Sequence, residues 1–217
     1  MTEFDNILFD LDGTISDSYE GITKSVVYAL NKLGITPPAD RRDLRKFIGP
    51  PLWDSFSKYY GLDESGAARA VKFYREYYNE SGMLDCTMYD GIDEAIRELK
   101  NMGKKVILAT SKPEVAAVKI TEHFGLTKYF DFQAGASSDT SRVKKSDVIA
   151  YAVESTGIDK TRTLMVGDRC HDVEGASQNG IACMGVLYGY GTEHELKAAG
   201  AKYIAKTTKD IVYIIRN

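Results

Sequence analysis

The amino-acid sequence predicts an α/β fold in which helices cover both faces of a parallel β-sheet. The first observation behind this prediction is that, beyond Gly91, helical spacing of apolar residues alternates with short, continuously apolar runs. The second is that residues 16–85 show only helical spacing and interrupt this alternation just after the first apolar run. We therefore expect a core domain formed by residues 1–15 and 86–217, with residues 16–85 inserted as a four-helix-type subdomain.

Size and composition agree with this organisation. The chain has 217 residues, more than the roughly 100–150 of the commonest single domain, and 43% of them are apolar. A formal net charge of −3 argues against a nucleic-acid partner, and no apolar run approaches the ~20 residues of a membrane span. The three cysteines show no paired spacing, which is typical of free thiols in a reducing compartment. We expect a cytoplasmic monomer or homodimer with no membrane and no nucleic-acid partner.

The first predicted strand is the apolar run Ile7–Phe9, which ends at a turn marked by Gly13. The chain then changes to helical spacing, and the first helical stretch closes at Gly34. Four helical stretches are predicted within the insertion, at residues 22–33, from about Asp40 onward, and at 52–60 and 63–81.

The remaining strands and helices alternate along the rest of the chain. Further strands are predicted at residues 105–110, 130–134, 163–167, 183–187 and 203–205. Helices are predicted at residues 92–99, 113–124 and 146–156, and through 175–179. Because strands joined by helices lie parallel, the carboxyl ends of the main strands are expected at one edge of the sheet.

Polar side chains stand at three of these strand ends. Asp10 and Asp12 follow the first strand, Thr110 and Ser111 end the second, and Asp168 ends a later one. Residues two apart in a strand point the same way, so Asp10 and Asp12 address one ligand if the strand continues to Asp12. Paired carboxylates suit Mg²⁺, a hard cation that prefers oxygen ligands. The strand ends are therefore the predicted site.

Four short motifs stand in a fixed order along the chain. They are Asp-Leu-Asp-Gly-Thr at 10–14, Ala-Thr-Ser-Lys-Pro at 109–113, Lys-Lys-Ser-Asp at 144–147 and Val-Gly-Asp-Arg-Cys-His-Asp at 166–172. This set resembles the haloacid dehalogenase-like phosphatase superfamily, whose core is a Rossmann-like parallel sheet. The helical insertion after the first motif resembles the subfamily with a helical cap there, which includes phosphoglycolate phosphatases, β-phosphoglucomutases and some nucleotidases.

The resemblance implies roles for the three strand-end aspartates. Asp10 would be the nucleophile that forms an aspartyl-phosphate, an acceptable role because a carboxylate is already ionised at neutral pH. Asp12 would protonate the leaving oxygen and later deprotonate the attacking water. Mg²⁺ would be bound by the side chains of Asp10 and Asp168 and by the backbone carbonyl of Asp12.

The same resemblance implies a phosphate-binding set. Thr110, with Ser111 beside it, would hydrogen-bond a phosphoryl oxygen, and a lysine would pair with both the phosphate and Asp10. We choose Lys145 for that lysine, although Lys144 is adjacent and stays an alternative. Asp172 would contact water molecules on the metal or orient nearby groups.

The insertion offers candidates for substrate selection. Arg45, Lys46 and Gly49, which begins a Gly-Pro-Pro turn, lie where relatives with a helical cap place loops that touch the leaving group. The alternative interpretation is a charged helix surface followed by a turn.

Together these features predict a Mg²⁺-dependent phosphatase acting on a small phosphorylated metabolite, with phosphoglycolate or a nucleoside monophosphate as the leading substrates. Two alternatives remain. One is a phosphomutase of the β-phosphoglucomutase type, and the other is a non-catalytic module that binds a phosphorylated metabolite.

Overall fold

The computed structural model describes residues 3–139 and 141–217; the first two residues of the predicted core range lie outside the described residues. The chain divides into two compact units. One comprises Met1–Ser16 with Met88–Asn217, and the other comprises Asp17–Thr87. The insertion predicted from the sequence was 16–85, so the boundaries in the structure lie one and two residues later.

The first unit is built around a six-stranded sheet with the order β5-β4-β1-β6-β7-β8. Its pairings are all parallel. The strands of the chain are β1 (Asn6–Phe9), β2 (Ser16–Asp17), β3 (Thr87–Met88), β4 (Lys105–Pro113), β5 (Phe132–Ala136), β6 (Thr163–Gly167), β7 (Ala182–Val186) and β8 (Tyr203–Ala205). The predicted parallel α/β core is confirmed.

Strand β1 lies inside the sheet, with β4 on one side and β6 on the other. Leu8 lies opposite Ile107 of β4 and opposite Met165 of β6, and all three are buried. These residues belong to one apolar cluster that also contains Val148 and Val173 from the helices on that face. Adjacent residues of a strand point to opposite faces of the sheet, and helices cover both faces. Every residue of β1 is therefore buried, which explains its continuous apolar run.

Helices cover both faces of the sheet. The α-helices of the chain are α1 (Tyr19–Lys32), α2 (Leu52–Tyr60), α3 (Glu64–Tyr77), α4 (Ile92–Asn101), α5 (Glu114–His123), α6 (Lys145–Thr156), α7 (Cys170–Gln178), α8 (Glu193–Ala199) and α9 (Thr208–Arg216). Helices α6 and α7 pack together, and so do α4 and α9. None of the helices in the described residues is long and apolar enough to span a membrane.

Two helices near the carboxyl end, α8 and α9, are absent from the sequence-based prediction. A start signal for α9 is present, because the carboxylate of Asp210 accepts from the Thr207 N–H at 2.8 Å in a capping arrangement. Helix α8 is short, and Thr192 caps it through its hydroxyl, which accepts from the Glu195 N–H. Both helices are shorter than the periodicity windows on which helix prediction depends.

Between the strand residues at its two ends, the regular structure of the second unit, Asp17–Thr87, is helical. The stretch beginning near Asp40 is a 3₁₀ helix, Arg41–Phe47, and α3 runs into a π-helical turn, Tyr78–Gly82. Helix α1 packs closely on that turn, because a Cβ added at Gly21 would lie 1.9 Å from the Gly82 carbonyl oxygen. Aromatic side chains fill the interior, with the rings of Phe47 and Phe56 5.0 Å apart.

Candidate active site

Asp10 stands immediately after β1. Its N–H donates to the Val166 carbonyl oxygen at 2.9 Å, which extends the pairing with β6 by one residue. The side chain is buried, and its Oδ1 lies 2.6 Å from Nζ of Lys145. Burial raises the pKa of Asp10 to about 6, against the opposing charge of Lys145. The ionised form of Asp10 is therefore destabilised by burial and stabilised by the charge of Lys145.

Asp12 has a different partner. Strand β1 ends at Phe9, so the regular strand that would make the two carboxylates point the same way stops before Asp12. The chain then turns at Gly13, whose φ is 85°, a conformation that glycine adopts without strain. Both carboxylate oxygens of Asp12 accept from Nζ of Lys112, at 2.7 and 2.9 Å. The two aspartates of the first motif are thus each paired with their own lysine.

Lys145 is the first residue of α6 and points into the core unit. Its Nζ lies 2.6 Å from Asp10, 2.8 Å from Asp172, and donates to the Ala109 carbonyl oxygen at 3.1 Å. Burial alone would lower the pKa of Lys145, but the two carboxylates outweigh it and raise that pKa. Lys144 is exposed. Of the two adjacent lysines, Lys145 is the one that the structure brings to Asp10.

Asp168 is fully buried beyond the end of β6, and backbone encloses it. Its Oδ2 accepts from the Tyr190 N–H at 2.8 Å, whereas its Oδ1 has no hydrogen-bond partner among the described residues. Added Cβ atoms at Gly13 and Gly189 would lie 2.2 and 2.6 Å from Oδ2, so both positions must be glycine. Burial, together with the charges of Asp172 and Asp10, raises the pKa of Asp168 well above its usual range.

Asp172, in the first turn of α7, supports Lys145. Its Oδ2 accepts from the Arg169 N–H at 3.0 Å, and its Oδ1 lies 2.8 Å from Lys145 Nζ. A Cβ at Gly167 would lie 2.3 Å from Cγ of Asp172, so glycine is required there for the carboxylate to reach the lysine. Asp172 therefore contacts Lys145 through one oxygen and the backbone at the start of α7 through the other.

Three carboxylates form a group suited to a cation. Within residues 3–139 and 141–217, Asp10, Asp168 and Asp172 each place an oxygen within 4.8 Å of the others, and all three are buried. Asp12 does not join this group through its side chain. The residues fit a divalent cation, because Oδ1 of Asp168 is buried with no partner in the part of the chain that the structure describes, and carboxylate oxygens are the ligands that Mg²⁺ prefers.

The second motif lies at the end of β4. Thr110 is buried, and its Oγ1 accepts from the Lys112 N–H at 3.2 Å. Ser111 is half-buried. Lys112 was given no role in the sequence-based prediction although it lies inside the second motif. The sequence signal for a functional Lys112 was its position two residues after Thr110. Only the fold shows that its Nζ reaches the carboxylate of Asp12.

The predicted selectivity residues lie in the other unit, Asp17–Thr87. Arg45 and Lys46 are exposed; the Arg45 guanidinium lies 5.3 Å from the ring centre of Tyr19 and Lys46 Nζ lies 4.5 Å from that of Tyr59. Gly49 is exposed and has a φ of 102°. A separate open groove of about 740 Å³ on this unit is lined by Trp53, Ala68, Val71, Lys72, Arg75, Glu76, Asn79 and Glu80.

The parallel α/β fold and the buried carboxylates at its strand ends are features of the phosphatase family that the sequence motifs resemble. Comparison with known proteins supports the same family. Residues 7–186 match the family model described as haloacid dehalogenase-like hydrolase, and the chain belongs to this family. The expected family, fold class and enzyme class, a phosphatase of this family, are confirmed.

The relatives carry several functional names. A 5'-nucleotidase of Pseudomonas aeruginosa is 46% identical over 195 residues, which cover 90% of this chain and 88% of that protein. Tyrosine-protein kinase PtkA of Mycobacterium tuberculosis is 40% identical over 207 residues, covering 95% of this chain and 67% of that protein. A phosphoglycolate phosphatase of Vibrio parahaemolyticus is 26% identical, covering 96% and 95%. The crystal structure of a predicted phosphatase from Clostridium acetobutylicum superposes with a TM-score of 0.94, at 46% identity, and covers 98% of both chains.

Proposed function

We propose that this protein is a Mg²⁺-dependent phosphatase that hydrolyses a small, soluble phosphomonoester through an aspartyl-phosphate on Asp10. One observation carries the proposal: the buried carboxylate of Asp10 lies 2.6 Å from Lys145 Nζ and within the group completed by Asp168 and Asp172. A nucleophilic carboxylate beside a lysine and a cation-binding group is the arrangement that phosphoryl transfer needs, because the anionic phosphate must be neutralised before it is attacked.

The cation would be held by the side chains of Asp10 and Asp168 and by the backbone carbonyl of Asp12. When bound, it would supply positive charge that offsets the repulsion between these carboxylates and the phosphate. Asp172 is less available as a direct ligand because both of its oxygens face donors, Lys145 and the Arg169 N–H.

The residues of the chain would then act in two steps. Asp10 attacks phosphorus, the bond from phosphorus to the leaving oxygen breaks, and Asp12 delivers a proton to that oxygen. In the second step Asp12 takes a proton from water, whose oxygen attacks the phosphoryl group and releases Asp10. Thr110, Ser111 and Lys145 would hold the phosphoryl oxygens during both steps.

The names of two relatives support the substrate class in this proposal. The names 5'-nucleotidase and phosphoglycolate phosphatase both describe hydrolysis of a small phosphomonoester, so nucleoside monophosphates and phosphoglycolate are the first compounds to assay. In the second unit, the exposed cations Arg45 and Lys46 and the turn at Gly49 are the candidates for contacting the leaving group. The predicted location is the cytoplasm, where such metabolites are found.

The test is hydrolysis of p-nitrophenyl phosphate by the purified protein. We expect turnover that EDTA stops and added Mg²⁺ restores, and Asp10→Asn should reduce kcat at least about 10³-fold with an unchanged circular dichroism spectrum. Asp54→Asn, the same change at an exposed position of α2, is the matched control and should keep full activity. Substantial turnover by Asp10→Asn would remove Asp10 as the nucleophile.

The same assay separates the alternatives. With a sugar phosphate as substrate, a phosphatase releases inorganic phosphate, whereas a phosphomutase returns the phosphoryl group to the sugar. A protein that binds phosphorylated metabolites but shows no Mg²⁺-dependent turnover would be the non-catalytic module. A panel of nucleoside monophosphates, phosphoglycolate and sugar phosphates then ranks substrates by kcat/KM.

A further inference from the structure

Lys112 is a buried cation to which the mechanism above gives no role. Its side chain and that of Asp12 are only 5% and 12% exposed, and Nζ contacts both oxygens of the carboxylate. A buried ion pair of this kind fixes geometry, because separating it would leave an uncompensated charge in a place of low polarity. The pair therefore determines where the Asp12 side chain stands.

The backbone around Lys112 is fixed as well. The pairing of β4 with β5 shifts register between Ala109 and Pro113, an irregularity that redirects side chains at a strand end. The Lys112 N–H donates to Thr110 Oγ1, and a Cβ added at Gly135 would lie 2.8 Å from the Lys112 carbonyl oxygen. The backbone of Lys112 is thus fixed at the end of β4, and Nζ reaches Asp12 from this fixed point.

The position of Asp12 matters because it follows Asp10 by two residues, and Asp10 belongs to the group of carboxylates that fits a cation. Asp10, Asp168 and Asp172 already form a group that fits a cation, and the side chain of Asp12 is outside it. A carboxylate without a partner in this neighbourhood would find its most favourable contact at the cation. An oxygen bound to a divalent cation would be a poor carrier of a proton, whereas each Asp12 oxygen that accepts from Lys112 keeps a second acceptor position.

We propose that Lys112 is a positioning residue that holds the Asp12 carboxylate apart from the cation-binding carboxylates, which leaves its side chain to serve the leaving oxygen. This inference rests on the proposed function for its consequence in catalysis. Its structural part concerns cation binding alone, and the two parts are measured separately.

The first measurement is calorimetric titration of the protein with Mg²⁺ and with Ca²⁺. Mg²⁺ is usually bound through one or two carboxylates and retains water, whereas Ca²⁺ accepts 6–8 oxygen ligands. Release of Asp12 into the group in Lys112→Met should therefore raise the ratio of Ca²⁺ to Mg²⁺ affinity by about 10-fold. Lys144→Met, the matched change at the exposed neighbour of Lys145, should leave the ratio unchanged, and Lys112→Arg should return it towards the wild-type value.

The second measurement compares two aryl phosphates. Phenyl phosphate has a leaving group that needs a proton, whereas the 2,4-dinitrophenolate of 2,4-dinitrophenyl phosphate leaves readily as an anion. The quantity compared is kcat/KM, because it depends only on the steps up to release of the phenol and not on the later attack of water. Since general acid catalysis contributes about 10²–10⁴-fold, Lys112→Met should lower kcat/KM on phenyl phosphate by about 100-fold and on the dinitrophenyl ester by less than about 3-fold. A merely structural role would lower both rates equally.

The results separate the two proposals. An unchanged ratio of Ca²⁺ to Mg²⁺ affinity in folded Lys112→Met, or equal losses on both esters, would overturn the role of Lys112. If Lys112→Met does not fold, Lys112→Gln, which removes the charge but keeps a polar end, is measured in its place. A wild-type protein that hydrolyses neither ester would refute the phosphatase proposal, and the affinity ratio would still decide the positioning role. Absence of binding of either cation by the wild-type protein would overturn both.

Discussion

The two units carry their charged residues in contrasting ways. In the core unit, Lys112 and Lys145 are buried, and each is paired with carboxylates. In the other unit, Arg45 and Lys46 are exposed, and the contacts seen for them are with aromatic rings. A buried charge must be paired with an opposite charge, and the pair has a fixed geometry. An exposed long side chain keeps its charged end in water and can change conformation. The difference leads us to expect larger effects from substitutions at Lys112 and Lys145 than from substitutions at Arg45 and Lys46.

Glycines show the same contrast and give the largest expected effect. Gly13 and Gly61 both have positive φ, 85° and 64°, but an added Cβ meets Asp168 at Gly13 and nothing within 4 Å at Gly61. Gly13→Ala combines backbone strain with overpacking and should cost roughly 2–5 kcal/mol. Gly61→Ala carries strain alone and should cost about 1–2 kcal/mol.

Thermal unfolding checks this pair of variants. For a chain of this size each kcal/mol corresponds to about 2–4 °C in Tm. Gly13→Ala should also weaken Mg²⁺ binding in calorimetry, because Asp168 would be displaced. Equal Tm values for the two variants would show that Asp168 is not enclosed as the structure describes.

A smaller effect is expected in the dependence of stability on pH. The folded pKa values of Asp10 and Asp168 are raised, chiefly by burial, that of Asp10 to about 6. Each therefore contributes stability that is present below the unfolded pKa of about 4 and is lost as pH rises through the folded value. Without divalent cations, Tm should fall between pH 5 and pH 7.5, by at least about 2 °C.

Two variants and one ligand sharpen this test. Asp168→Asn should flatten the fall, since one of the two shifted groups is gone. Asp40→Asn in the other unit should leave it unchanged, because hydrogen bonds from Arg42 lower the pKa of Asp40 and move its titration below this window. Mg²⁺ should raise Tm more at pH 7.5 than at pH 5. A metal-free protein that becomes more stable from pH 5 to 7.5 would contradict the expectation.

The smallest effect is expected from the exposed cations. Arg45→Ala and Lys46→Ala should each raise KM for the best metabolite about 3–10-fold, while kcat stays within about 2-fold, since only uniform binding is lost. Stability should change by no more than about 1 kcal/mol, the value of an exposed cation–π contact. Lys58→Ala is the control, because Lys58 also lies over the ring of Tyr59. An unchanged KM in both variants would assign Arg45 and Lys46 to the charged surface.

Sequence patterns predicted most of the core correctly. The apolar runs at 7–9 and 163–167 became β1 and β6, because strands covered on both faces leave an unambiguous signal. Boundaries were less certain, since β5 lies at Phe132–Ala136 rather than at 130–134. Helix α9 was missed although its capping residues, Thr207 and Asp210, are visible in the sequence.

The sequence by itself determined the family, the parallel α/β core and the set of aspartates at the strand ends, because local apolar runs and short motifs encode them. Only the tertiary structure decided which partner each aspartate has. Lys145 reaches Asp10 and Lys144 does not, and Lys112 reaches Asp12 across 100 residues of chain. Such pairings depend on the order of strands in the sheet and on glycines that admit a side chain, and neither can be read from spacing along the chain.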